Sequence, residues 1–180
     1  MTTKIFSGKK IEIRVLNKND LRNVKKFQDF INSLIEEEAK IMFNKRFSLK
    51  EEEKWMEERL RKIKSQKAIL LVAEYNNMVV GTTGIDLGLG RQAHVGNFGI
   101  TIRKGYRGMG LGSYLMKEII KLAKKELRPK PKIIRLSVFS TNKPALALYK
   151  KFGFKKVAKI PKQIQYQGKL IDEIIMILYL

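Results

Sequence analysis

From Lys10 to Leu16 polar and apolar residues alternate (KIEIRVL), the period-two pattern of a strand with one buried face. Asp20 then offers a cap to a helix whose Leu21, Val24, Phe27, Phe30, Ile31, Leu34 and Ile35 recur at helical spacing. Ser48 followed by Glu51 is a capping-box signature, and Trp55, Met56, Leu60 and Ile63 form the apolar side of a second helix. The segment 37–47 between them is irregular and carries Met42, Phe43 and Phe47. Then the period changes. AILLVAEY (68–75), Asn76-Asn77 and MVVGTTGI (78–85) read as a β-hairpin. AHVGNFGITI (93–102) is a further strand, with small residues where backbone can approach a ligand. A Gly-rich stretch, KGYRGMGLG (104–112), leads into a helix with Leu111, Leu115, Ile119 and Leu122 on one stripe. RPKPK (128–132) breaks that helix before the strand KIIRLSVF (132–139). A short helix after Thr141-Asn142, closed by Gly153, and two strands over 154–165 and 170–180 complete the order. With no repeat or linker, 1–180 reads as one mixed α/β domain.

Composition narrows the function more than the fold. At 180 residues, 44% hydrophobic and 31% charged, the chain has ample material for a core. No run approaches the roughly 20 apolar residues of a spanning helix, and MTTKIFSGKK has no apolar signal region, so a cytoplasmic protein without membrane attachment is expected. The absence of Cys excludes disulfides, a thiolate zinc site and a cysteine nucleophile, and the single His excludes a His-rich metal site. The net charge of +21 is concentrated: residues 103–169 hold 19 Lys or Arg against Glu118 and Glu126 alone. Such a segment attracts phosphates or nucleic acid; a lysine-rich solvated surface is the plainer reading.

The glycines sharpen this. Arg107-Gly108-Met109-Gly110-Leu111-Gly112-Ser113 lies between a strand and a helix, where backbone N–H groups and the helix N-terminus can converge on an anion. A Walker A loop fails because Leu111, not Lys, follows Gly110. A Rossmann fingerprint is weak because 127–140 holds no acidic residue. The pattern Arg/Gln-x-x-Gly-x-Gly/Ala of an acyl-CoA loop fits Arg107 to Gly112 at every specified position.

Two segments, ITIRKGYRGMGLGSYLMKEIIKLAKK and VFSTNKPALALYKKFGF, resemble the cofactor motif and the downstream N-x-x-A-x-x-L-Y-x-x-x-G-F segment of the GNAT superfamily of N-acetyltransferases. The resemblance covers roughly residues 10–180 and looks most like ribosomal-protein-alanine N-acetyltransferases. It implies an α+β fold with a mixed, mostly antiparallel sheet of six to seven strands flanked by helices, and acetyl-CoA as co-substrate without a metal. Strands 93–102 and 132–139 would run parallel and splay apart, and in the cleft Ile100, Thr101 and Ile102 would bond the pantetheine arm like an added strand. The backbone of Gly108, Met109, Gly110, Leu111, Gly112 and Ser113, with Arg107, would hold the pyrophosphate. Asn142 would bond the pantetheine while also capping its helix, and Tyr149 would be the general acid at the sulfur.

Without Cys the economical chemistry is direct attack by an amine. Ribosomal-protein-alanine enzymes carry a glutamate five residues before the Asn, where this chain has Ser137. His94 is the candidate base, sharing alternation with Gly96, Phe98 and Ile100; capping the strand is its structural alternative, and Glu74 or a water chain could serve instead. An α-amine of pKa about 8 costs only ~1.4 kcal/mol to deprotonate at pH 7, against ~4.6 kcal/mol for a lysine near 10.4. A weak base therefore favours an α-amine, and a protein or peptide N-terminus is the expected acceptor. A small-molecule amine is the alternative, with Glu36, Glu37 and Glu38 available to attract it; a polyamine is disfavoured by the positive field. A basic nucleic-acid or ribosome-binding module with a vestigial CoA site is the reading from another class. Weak nucleic-acid contact and a monomer or homodimer complete the expectation.

Overall fold

A computed structural model describes residues 1–180. The strands are β1 (Thr2–Phe6), β2 (Lys9–Val15), β3 (Ala68–Tyr75), β4 (Met78–Leu87), β5 (Val95–Ile102), β6 (Ile133–Phe139), β7 (Lys155–Tyr166) and β8 (Lys169–Tyr179). The helices are α1 (Val24–Glu36), α2 (Leu49–Lys64), α3 (Leu111–Glu126) and α4 (Lys143–Lys151). One sheet runs β1-β2-β3-β4-β5-β6-β8-β7, antiparallel throughout except for β5 beside β6. This is the expected α+β architecture with one strand more than six to seven. The addition is β1, turned back onto β2 through Ser7 and Gly8 at positive φ. Four of its five residues are exposed, so the alternation that betrays a half-buried strand is missing.

Both faces of the sheet are covered. On β3, Leu70 and Val72 join Phe27, Phe30 and Met56 under α1 and α2, while Ile69, Leu71 and Ala73 join Leu115, Met116 and Ile119 under α3. A strand buried on two sides has no polar face to show, which is why AILLVA reads as an unbroken apolar run. Helix α2 opens as its capping box predicts: Glu51 N donates to Ser48 Oγ at 3.3 Å, and Ser48 N donates back to the Glu51 carboxylate at 2.7 Å. The approach to α1 corrects the expected cap. Asn17, not Asp20, is the capping residue, and a 3-10 turn over Lys18–Asn23 precedes the helix. Asp20 instead accepts from Asn17 N at 2.8 Å and from the Arg14 guanidinium at 2.8 and 2.6 Å. No helix is long and apolar enough to cross a membrane.

Candidate active site

The sheet forks at its one parallel junction. β5 meets β6 only through Val95, Gly96 and Asn97, although it stays paired to β4 as far as Ile102. β6 likewise stays paired to β8 as far as Phe139. From Phe98 onward the two strands part, and each presents an unpaired backbone edge to the gap. An extended, amide-bearing chain can bond to such an edge as an extra strand would.

The Gly-rich loop lies beyond the end of β5. Gly105, Gly108 and Gly110 take φ of 84°, 77° and 90°, a region that L side chains rarely enter. Gly110 is also the residue before α3, so no side chain caps that helix. The amides of Gly108, Met109, Gly110, Leu111, Gly112 and Ser113 make no hydrogen bond within the protein. Six unpaired donors, several aimed by a helix N-terminus, are the donor set a pyrophosphate takes. Arg107 crosses the same loop, donating from Nε to the Ile102 carbonyl at 2.7 Å and pairing with Glu37 just after α1.

Helix α4 borders the fork. Asn142 accepts at Oδ1 from Ala145 N at 3.4 Å and keeps its amide nitrogen free of protein partners, so the cap leaves a donor available. Tyr149 is buried against the rings of Phe98 and Phe154, with centroids 6.1 and 6.0 Å away. Burial pushes its phenol up to about 12, so the hydroxyl stays protonated throughout the physiological range.

On the sheet's other face a hollow of about 280 Å³ opens between α1, α2 and strands β4 and β5. Its floor is the row Thr82, Gly84, Asp86 beside Gly99 and Thr101, with Gly84 paired to Gly99. Two adjacent glycines remove the side chains that would otherwise fill the space beneath the helices. Phe27 and Phe30, with Phe43, Phe47 and Trp55, make the walls. Glu52 also lines it, 6% exposed and without a side-chain hydrogen bond; desolvation pushes its carboxyl from 4.5 to about 7. Asp86 is engaged elsewhere, paired to Arg59 and 3.5 Å from Lys62 Nζ, although its Oδ1 has no hydrogen bond.

These features can be set beside known proteins. Residues 32–154, which span α2, the fork, the loop and α4, match the model of the acetyltransferase (GNAT) family. The chain belongs to the GNAT acetyltransferase family. It is 36% identical over 103 residues to the L-amino acid N-acetyltransferase AaaT of Escherichia coli, a match covering 57% of this chain and 62% of that relative. A GNAT acetyltransferase of Streptococcus pneumoniae has the same fold, with 24% identity and a TM-score of 0.82 over 94% of this chain and 99% of that one. The ribosomal-protein-alanine N-acetyltransferase of Brucella melitensis gives 23%, 0.80 and the same coverage. An acetyltransferase of Salmonella typhimurium, solved with its cofactor acetyl-CoA, gives 20% and 0.78 over 94% of this chain and 93% of that one.

Within this GNAT domain the expected cofactor-side residues come together around the fork, and the expected bases do not. His94 precedes β5 at the end away from the loop, and its carbonyl accepts from Lys132 N and Ile133 N. Alternation puts it on the face of Gly96 and Phe98, opposite the hollow's floor. Glu74 is held by Arg14 and by Lys26 at 2.9 Å. Glu36 pairs with Arg46 at 2.5 Å, Glu37 with Arg107, and Glu38 accepts from Gln167 at 2.6 Å, so none of the three faces the hollow. Sequence reasoning passed over Glu52. Its signal was present: Glu52, Trp55, Met56 and Arg59 share one helical face, which places a carboxylate on the side of α2 that meets the sheet.

Proposed function

We propose that this acetyltransferase moves an acetyl group from acetyl-CoA to the α-amino group of a small molecule of amino-acid type. The carrying observation is Glu52, an unpaired buried carboxylate in a hollow whose floor is the strand that borders the fork. When bound, acetyl-CoA supplies the acetyl group activated as a thioester. The six free amides from Gly108 to Ser113, with Arg107, hold its phosphates, and the β5 edge at Ile100, Thr101 and Ile102, whose last carbonyl accepts from Arg107, holds its extended arm. Asn142 offers its free amide nitrogen to the same arm.

Glu52 replaces His94 as the base in this reading. Arg59 meets Asp86 at one end of the hollow, and Glu52 stands seven residues earlier on α2, about 10 Å back along the helix axis. The paired threonines Thr82 and Thr101 mark that other end, where β5 runs toward the loop. With its carboxyl near 7, Glu52 takes a proton from an α-ammonium of pKa about 8 at a cost of only ~1.4 kcal/mol. Tyr149 keeps its proton and donates a hydrogen bond toward the departing sulfur.

The sequence favoured a protein N-terminus as acceptor. A recessed hollow walled by two helices and their linker suits a free amine better, and the E. coli relative is named for L-amino acids. A turnover screen decides between them: acetyl-CoA with amino acids, N-terminal peptides and polyamines, monitored by release of free thiol. The highest kcat/KM is expected for a free amino acid, and a hundredfold preference for peptides would move the acceptor back to a protein N-terminus.

A further inference from the structure

The hollow has a composition that the transfer chemistry does not require. An amine and a base need a small polar pocket, yet five aromatic rings surround this one. Phe27 and Phe30 come from α1, Phe43 and Phe47 from the linker, and Trp55 from α2. At about 280 Å³ it exceeds the roughly 150 Å³ of a cavity that admits benzene. Phe43 is 52% exposed, so part of the wall stands open to the approach of a ligand.

The charges are sorted along its length. Glu52 is unpaired toward the Thr82 and Thr101 end, whereas Asp86 at the other end already has Arg59 and Lys62 as counter-charges. Arg59 also stacks on Trp55, its guanidinium carbon 5.1 Å from the ring centroid. A ligand here therefore meets one free carboxylate, then an apolar stretch, then a neutralised ion pair. A polyamine would bring a second ammonium against Arg59 and Lys62. A single amine attached to an apolar body meets no such penalty.

We infer that this hollow is a subsite for a bulky apolar side chain next to the acceptor amine, so that aromatic and large aliphatic amino acids are the acceptors of choice. The inference rests on the transfer reaction proposed above and adds the chemistry of the acceptor. Burial of such a side chain gives a preference over alanine of about ten- to a hundredfold in kcat/KM.

The test compares L-phenylalanine, L-leucine, L-alanine and spermidine at saturating acetyl-CoA in the full chain and two variants. Gly99→Val is the first, because a Cβ there meets nothing within 4 Å and projects from the floor of the hollow. Phe43→Ala is the second, removing one wall at a position that is 52% exposed and outside the two buried cores. Phenylalanine and leucine are expected to exceed alanine by about tenfold or more. Each variant should lower the phenylalanine-to-alanine ratio severalfold. Alanine or spermidine matching phenylalanine, or a ratio unmoved in both variants, would overturn the subsite while leaving the transferase reading intact. Absence of transfer to every amine would overturn both.

Discussion

Glu52 carries a cost that identifies it. A carboxyl held near 7 in the native state and near 4.5 in the unfolded chain binds its proton more tightly when folded, so native stability falls as pH rises between these values. The penalty is absent below 4.5 and complete above 7, where it amounts to about 3 kcal/mol. Denaturant titration of Glu52→Gln should therefore show a gain of that order at pH 8 and almost none at pH 4.5. The same variant should lose on the order of 10²-fold in kcat, the lower range for a removed base. A stability gain equal at both pH values would mean that Glu52 is not strained by burial. At this scale the spacing that ties Tyr149 and Asn142 to one short helix was legible. At His94 the residue type alone says nothing about which face of a strand it occupies.

Among the elements, the loop-to-helix junction was the most legible. Glycines at 105, 108 and 110 suit the φ of 84°, 77° and 90° that the loop takes there, and that preference is written in residue identity alone. The fork was legible only through the family resemblance, which implies that strands 93–102 and 132–139 run parallel and splay apart. Nothing in HVGNFGITI or KIIRLSVF by itself tells that parallel pairing stops after three residues. Strand β1 escaped because an exposed edge strand has no buried face to impose alternation. Gly110→Glu tests the junction. It places a charged side chain at φ 90° beside the six free amides, so calorimetric titration should show no acetyl-CoA binding while the circular dichroism spectrum stays native. Unchanged affinity would remove the loop from the cofactor site.

At the scale of the whole molecule, part of the charge falls in two places. Lys104 and Arg107 lie beside the phosphate loop, and Lys150 and Lys151 end the helix at the fork. Another share sits on β7, the outer strand of the sheet, where Lys155, Lys156, Lys159 and Lys162 are exposed beside Val157 and Ile160. Lysines on an edge strand discourage pairing with a second sheet, which is a folding role rather than a ligand role. Eight of the 19 basic residues of 103–169 thus lie by the Gly-rich loop, at the fork or on an edge strand, and the others, on α3 and around 128–135 among them, fit the plainer reading of a lysine-rich surface.

The molecule also joins its two faces at one corner. The segment after α1 reaches Arg107 through Glu37, the Thr141 carbonyl through Lys40 at 2.9 Å, and Tyr166 through the Glu38 carbonyl at 2.7 Å. The Gly-rich loop, the approach to α4 and the end of β7 are therefore all tied to the linker between α1 and α2. With no cysteine to carry an acyl group, transfer should be direct. The most direct measurement uses acetyl-CoA labelled in its acetyl group, mixed with the chain before and after addition of L-phenylalanine. The label should stay on CoA until the amine arrives and then appear on its α-nitrogen. Label covalently held by the chain would contradict direct transfer, and none on the amine would contradict transfer to an amino acid.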